Sequence, residues 1–305
     1  MPAEHVPVLL DEVVSGLRPR NGGVYIDATL GGGGHAAALM DAAGAGALLL
    51  GIDADPKSLA YAKETLDRFG DAVTFAEGNF RYLANLADDA GFKLADGILL
   101  DLGISSAQLD ATGRGFSFAD AESLDMRFSV RQQVTAWDYV NTCPESALAD
   151  LIYQYGEEPD SRRIARAIVA HRPIDTAVQL AQVVAGAVKK RGKIHPATRT
   201  FQGLRIAVND ELSALRDVLP QAMRLLVKGG VMAVISFHSL EDRIVKEFMQ
   251  REAKACICPP TEPVCVCGHV PQVRIITRHP IVATPEEVAR NPRSRSAKLR
   301  LAEKL

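Results

Sequence analysis

The stretch Tyr25-Ile26-Asp27-Ala28-Thr29-Leu30-Gly31-Gly32-Gly33-Gly34-His35 sets four consecutive glycines between an apolar run and an alanine-rich segment carrying Leu39 and Met40. A compact apolar run bounded by glycine suits a strand buried in a parallel sheet, and residues 35–43 have the pattern of a helix. Strand, glycine turn and helix in that order let a ligand approach the backbone closely and meet the N–H groups of a helix start. A second strand, 47–53, ends in Asp53, 22 residues after Gly31, where a carboxylate can accept hydrogen bonds from a ribose hydroxyl pair. Asp55-Pro56 reads as a cap followed by proline at the first helical position, opening a helix that runs to Phe69. Residues 73–76 form a third strand leading to Phe80, and 97–101 a fourth ending in Asp101. Ligands in such sheets bind at the carboxyl ends of the strands, so Asp27, Asp53, Phe80 and Asp101 are expected around one crevice. The pattern predicts an α/β chain with a doubly wound, Rossmann-like core.

Two adenosine-bearing cofactors suit that crevice. Gly31-x-Gly33-x-x-Ala36 loosely fits a dinucleotide fingerprint and keeps a nicotinamide cofactor, and so an NAD-dependent oxidoreductase, open. Asp27, directly before the loop, would repel a pyrophosphate; S-adenosylmethionine enzymes commonly carry an acid there, near the amino-acid portion of the donor. The 305 residues, 47% hydrophobic and 24% charged, have room for one large domain or two medium ones. No apolar stretch approaches the roughly 20 residues of a membrane span, and no signal-peptide core is visible, which predicts a cytoplasmic protein without a membrane partner. More than a hundred residues separate the fourth strand from the next strand-like run, 231–236. That is too long for a loop. Helical patterns fill it at 147–155, 162–171, 178–190 and from 197 to about 227, with Pro220 as the candidate break. The expected organisation is a core of 1–111 and 213–305, its last strands at 273–282 and 297–302, with a helical insert, 112–212, for substrate recognition.

The net charge is only −2, yet residues 161–209 hold ten Lys or Arg against a single acid, Asp175. Solvated helix faces normally mix signs, so this concentration points to nucleic-acid phosphates. Lys189, Lys190, Arg191, Arg199 and Arg205 are the candidate RNA contacts. Thr198, Thr200 and Phe201 add hydroxyls and an aromatic of the kind used on single-stranded RNA.

"DGILLDLGISSAQLD" (96–110) makes the chain resemble the bacterial 16S ribosomal RNA cytosine-N4 methyltransferase family. The likeness extends through "HVPVLLDEVV" (5–14), "DATLGGGGH" (27–35), "GRGFSF" (113–118), "LDMR" (124–127), "YGEE" (155–158), "RRIARAIV" (162–169), "HPATRTFQGLRIAVNDEL" (195–212), "ISFHSLEDRIVK" (235–246) and "NPRSRSAKLR" (291–300). The resemblance implies a class I S-adenosylmethionine-dependent methyltransferase core. It also implies a cytidine in the decoding region of 16S rRNA as target, met in the small ribosomal subunit or a late assembly intermediate. A homodimer is left open. By position, the family's donor contacts fall on Gly33, Gly34, His35, Asp53, Phe80, Asp101 and Gln108. His35 owes its assignment to the resemblance alone, since a lone histidine at a helix start is commonly structural.

Many amino-methylating enzymes place Asp, Asn or Ser before Pro-Pro-Tyr at the end of the fourth strand; here the sequence is Asp101-Leu102-Gly103-Ile104. Asp101 is the candidate acceptor for the reacting amine, with Asp125, Ser105 and Ser106 as alternatives. Phe116 and Phe118 either stack on a flipped base or pack internally. Cys256-x-Cys258 and Cys265-x-Cys267 are zinc candidates, although Cys-x-Cys is less usual than Cys-x-x-Cys, and free thiols or adventitious disulfides are the alternatives.

Overall fold

The computed structural model describes residues 7–104, 113–188, 195–259, 262 and 264–305. The chain divides into two compact units, Met1–Gly103 with Leu212–Leu305, and Ile104–Glu211. The second unit begins earlier than the sequence boundary at 112, because Ile104 already packs into its apolar core.

The first unit is built on seven strands: β1 (Val24–Asp27), β2 (Leu48–Asp53), β3 (Val73–Glu77), β4 (Ala95–Asp101), β5 (Leu226–Ser236), β6 (Val273–Ile275) and β7 (Lys298–Lys304). Their order is β3-β2-β1-β4-β5-β7-β6. The first five are mutually parallel, and β7 runs antiparallel to both β5 and β6. Helices α1 (Leu10–Leu17), α2 (Gly34–Ala43) and α3 (Pro56–Leu66) contribute to one apolar layer, around Leu49, Leu99 and Leu299. α4 (Leu83–Asp89) contributes to the other, around Ile26, Leu50, Ile98 and Leu100. With both faces covered, the strands read as unbroken apolar runs, and that is why they were visible in sequence. The strand expected over 273–282 is cut to Val273–Ile275, with only a single bridge, Ile281 to Leu299, recovered after His279-Pro280.

Helices of the second unit are α5 (Ala136–Thr142), α6 (Glu145–Gly156), α7 (Ser161–Ala170), α8 (Ala177–Ala187) and α9 (Thr198–Asn209). Leu148, Ile152, Ile164, Leu180, Phe201 and Leu204 are among its buried core. α6 and α9 meet through glycines: a Cβ on Gly203 would lie 3.0 Å from the Gly156 nitrogen, and one on Gly156 would strike the Arg199 carbonyl. α10 (Glu211–Leu225) and α11 (Ser239–Glu252) belong to the first unit's part of the chain, and α12 (Pro285–Arg290) precedes β7. The long helix expected from 197 breaks at Asp210, which adopts φ 48° and ψ 42°, and not at Pro220, which stays inside α10. Among the described residues no helix is long and apolar enough to cross a membrane.

Candidate active site

Parallel register brings the carboxyl ends of five strands together: Asp27 pairs with Gly51 and Leu99, Asp53 with Glu77, and Asp101 with Ile235. The strand order reverses between β1 and β4, where open α/β sheets leave a crevice for ligands. Around it the glycine loop is held in conformations that side chains resist. Gly31 and Gly33 have φ of 53° and 82°, and a Cβ on Gly33 would come within 3.2 Å of Leu66. Pro7 covers Gly34, whose Cβ would lie 2.5 Å from it, whereas a Cβ on Gly32 would meet nothing within 4 Å. Gly32 is therefore the open face of the loop.

Each acid is bound into this frame. Asp27 is 1% exposed and accepts from the Thr29 N–H at 3.1 Å, while burial pushes its carboxyl up to about 7. The Thr29 hydroxyl in turn accepts from the Asp101 N–H at 2.6 Å, tying β1 to β4. Asp53 accepts from the N–H groups of Gly31 and Asp55, both at 2.8 Å; burial outweighs those bonds and raises it to about 6. Each of its oxygens keeps a lone pair that a hydroxyl could use.

His35 starts α2 with its Nε2 2.9 Å from the Val8 carbonyl and its Nδ1 3.5 Å from Asp101 Oδ2. A carbonyl only accepts, so Nε2 carries the hydrogen, and in neutral imidazole Nδ1 is then an acceptor. Facing a carboxylate, it makes an attractive contact only with one proton between the two. Burial lowers the imidazole's affinity for that proton, while burial, followed by the Glu241 charge, raises Asp101 to about 7. The other oxygen, Asp101 Oδ1, is buried without a hydrogen-bond partner among the described residues.

Sequence reasoning missed Thr29, His238 and Glu241. His238 caps α11, its Nδ1 accepting from the Glu241 N–H at 3.4 Å and its Nε2 lying 3.1 Å from Glu241 Oε1. Glu241 Oε2 accepts from the Phe237 and His238 N–H groups at 2.8 and 3.2 Å. The signal lay in "SFHSLED", which follows β5 as the glycine loop follows β1.

Other candidates are placed as follows. Phe80 is half-buried in the turn after β3, against the apolar layer around Leu100. Gln108, Ser105, Ser106, Lys189, Lys190 and Arg191 lie outside the described residues. Asp125, an alternative acceptor, is held by Arg127 through two bonds of 2.7 and 2.8 Å. Phe116 is 8% exposed and stacks on Phe128 with ring centroids 5.9 Å apart. Phe118 stacks on His195 at 4.5 Å and meets Phe201 edge-on at 4.7 Å. Both rings therefore have internal partners. Arg205 forks onto Glu211 at 2.8 and 2.9 Å, and the half-exposed Arg199 lies 3.9 Å from Glu158.

The open loop face at Gly32, the acids at three strand ends and the unpartnered Asp101 oxygen fit S-adenosylmethionine: a cationic amino-acid end, a ribose and a methyl group beside an acceptor. A dinucleotide fold of six parallel strands in the order 3-2-1-4-5-6 has no antiparallel strand between its fifth and sixth positions; this sheet has β7 there. Fold and site together define a class I S-adenosylmethionine-dependent methyltransferase, which sets aside the nicotinamide reading.

Within that class the chain belongs to the MraW methylase family, whose profile matches residues 2–305. It is 53% identical over 302 residues to a ribosomal RNA small subunit methyltransferase H from Dehalococcoides mccartyi, covering 99% of this chain and 86% of that one. It is also 53% identical over 305 residues to the protein of that name from Thermomicrobium roseum, covering 99% and 94%. With the Heliobacterium mobile protein of that name it shares 48% over 312 residues, covering both chains completely.

Proposed function

We propose that this protein transfers a methyl group from S-adenosylmethionine to N4 of a cytidine in the decoding region of 16S ribosomal RNA, acting on the small subunit or a late assembly intermediate. The relatives' name supports ribosomal RNA as the substrate. N4 as the acceptor atom rests on Asp101. The exocyclic amine of cytosine is a poor nucleophile because its lone pair is delocalised into the ring. An enzyme must hold that amine in line with the methyl group and accept a hydrogen bond as the nitrogen becomes tetrahedral. Buried and unpartnered among the described residues, Asp101 Oδ1 suits that task, and this is the observation that carries the reading.

S-Adenosylmethionine, when bound, supplies a methyl group on a sulfonium leaving group. Asp27 offers a negative charge to the donor's amino-acid end, Asp53 offers acceptors to its ribose, and Gly31 to Gly34 give the backbone clearance. Thr29 fixes the Asp101 backbone, and His35 orients its side chain, so that Oδ1 receives the amine hydrogen while Oδ2 faces the imidazole. Within the basic stretch 161–209, Lys189, Lys190, Arg191 and Arg199 supply phosphate contacts.

The deciding experiment incubates labelled S-adenosylmethionine with small subunits lacking the modification, followed by nuclease digestion and mass spectrometry of the nucleosides. N4-methylcytidine is the expected product. Methyl on another atom would overturn the N4 reading, and donor binding without transfer to subunits or RNA would leave a non-catalytic assembly factor.

A further inference from the structure

Between α11 and β6 the chain has no core of its own: no described residue between Glu252 and Val273 is buried. Val264, Val266 and Val270 are all exposed. Ordering such a segment costs about 1–2 kcal/mol per residue in backbone entropy, and apolar burial does not offset that here. Four sulfurs nevertheless converge within it. The Sγ atoms of Cys256, Cys258, Cys265 and Cys267 all lie within 4.8 Å of one another.

The separations discriminate among the ways four cysteines can meet. Cys256 and Cys267 are 3.8 Å apart, and Cys265 and Cys267 3.6 Å, well beyond the roughly 2.05 Å of a disulfide. All four are free thiols. A tetrahedral ion with metal–sulfur bonds of about 2.3 Å sets its ligands about 3.8 Å apart. An iron–sulfur cubane interposes irons and sulfides and spreads its cysteine sulfurs farther than a 4.8 Å envelope allows.

Backbone amides complete the arrangement. The N–H groups of Ile257 and His269 both point at Cys267 Sγ at 3.5 Å. Cys258 N–H donates to Cys256 Sγ, and Val266 N–H to Cys258 Sγ, both at 3.4 Å. Donors aimed at sulfur are what the surroundings of a metal-bound thiolate provide, spreading its charge and fixing its direction. Each Cys-x-Cys element contributes both of its sulfurs, so the two halves close on one point from opposite ends of the loop.

We propose that Cys256, Cys258, Cys265 and Cys267 bind one zinc ion in a closed, four-thiolate structural site that folds the loop between α11 and β6. Four thiol protons are released and four zinc–sulfur bonds form, with no change of oxidation state. Four protein ligands leave no open position, so the ion holds the loop and takes no part in methyl transfer.

The test measures metal in the full-length protein purified without chelator from zinc-supplemented cells. One zinc per chain is expected by plasma mass spectrometry, falling below a tenth of that in Cys256→Ser/Cys267→Ser with helix content retained. Cobalt(II) added to the chelated, reduced wild type should give the intense visible bands of a tetrahedral thiolate complex, quenched by one equivalent of zinc. Four of the five cysteines should become reactive to a thiol reagent only after chelation, with the half-buried Cys143 as internal reference. Stoichiometric iron in place of zinc, zinc retained by the double variant, or four reactive thiols and no cobalt bands in the wild type would each overturn the proposal.

Discussion

Asp101 and His35 face each other with room for one shared proton, because Nε2 of His35 is committed to the Val8 carbonyl and Nδ1 is left looking at Oδ2. With Asp101 pushed up to about 7 by burial, its accepting form grows in as pH rises through about 7. The methyl-transfer rate at saturating substrates is therefore expected to climb across that region and then level. Asp101→Asn keeps the shape but cannot take up the proton. It should lose about 100-fold or more in kcat and flatten the profile, measured by single-turnover methyl transfer. A variant that kept both rate and profile would remove Asp101 from the chemistry. Asp27 makes a different prediction. Its pKa rises from 3.8 to about 7 on folding, so between those values the folded chain binds the proton more tightly and stability falls as pH rises. Asp27→Asn should raise the Tm of the donor-free protein at pH 8, by a stability on the order of a few kcal/mol, with the gain vanishing near pH 4. The same change should weaken S-adenosylmethionine binding by calorimetry. The acids were legible in sequence because each ends an apolar strand. Thr29 was hidden because a hydroxyl in a loop has many ordinary uses, and His238 with Glu241 because their spacing is that of an ordinary capping box.

At the scale of elements, the break between α9 and α10 shows where pattern and backbone part. The apolar spacing runs on through Asn209-Asp210-Glu211-Leu212, so periodicity alone reads one helix, and proline was the visible candidate for a stop. Asp210 ends α9 instead in the left-handed region, its N–H bonded to the Ile206 carbonyl, a conformation that Asp and Asn tolerate better than most residues. The Asn-Asp pair was the signal, and it is weaker than a proline. Pro220 lies within α10, with no break there. Asp210→Gly should leave urea stability unchanged or slightly raised, whereas Asp210→Val should cost about 1–2 kcal/mol from strain at positive φ. Equal midpoints for the two variants would show that the left-handed turn is not what ends the helix. The parallel strands were easier to read because burial on both faces makes each a compact apolar run. β6 was overestimated because Val273 to Val282 continues to look apolar past Ile275, where regular pairing stops and the N–H groups of Ile276 and Thr277 both turn to the Leu301 carbonyl.

For the molecule as a whole, a net charge of −2 conceals the ten cations of residues 161–209. A count of charges does not distinguish cations that meet phosphate from cations that hold the protein together, and the structure begins to separate them. Arg205 is 15% exposed and gives two bonds to Glu211, and Arg172 donates to the carbonyls of Val140 and Cys143, both at 2.6 Å. These are internal braces. Salt dependence is the measurement that tells the two roles apart, because each phosphate neutralised by the protein releases counterions and steepens the fall of affinity with salt. Reversing Lys189, Lys190 and Arg191 to Glu should weaken binding to a 16S rRNA fragment and reduce the log–log salt slope by about one for each phosphate that the variant no longer neutralises, leaving donor affinity unchanged. Arg205→Lys is the matched control: it keeps the charge but breaks the fork, so it should lose about 1–2 kcal/mol of stability with the salt slope intact. An unchanged slope in the triple variant would move the RNA path away from this stretch. A flattened slope in Arg205→Lys would mean that its guanidinium leaves Glu211 for phosphate when RNA binds.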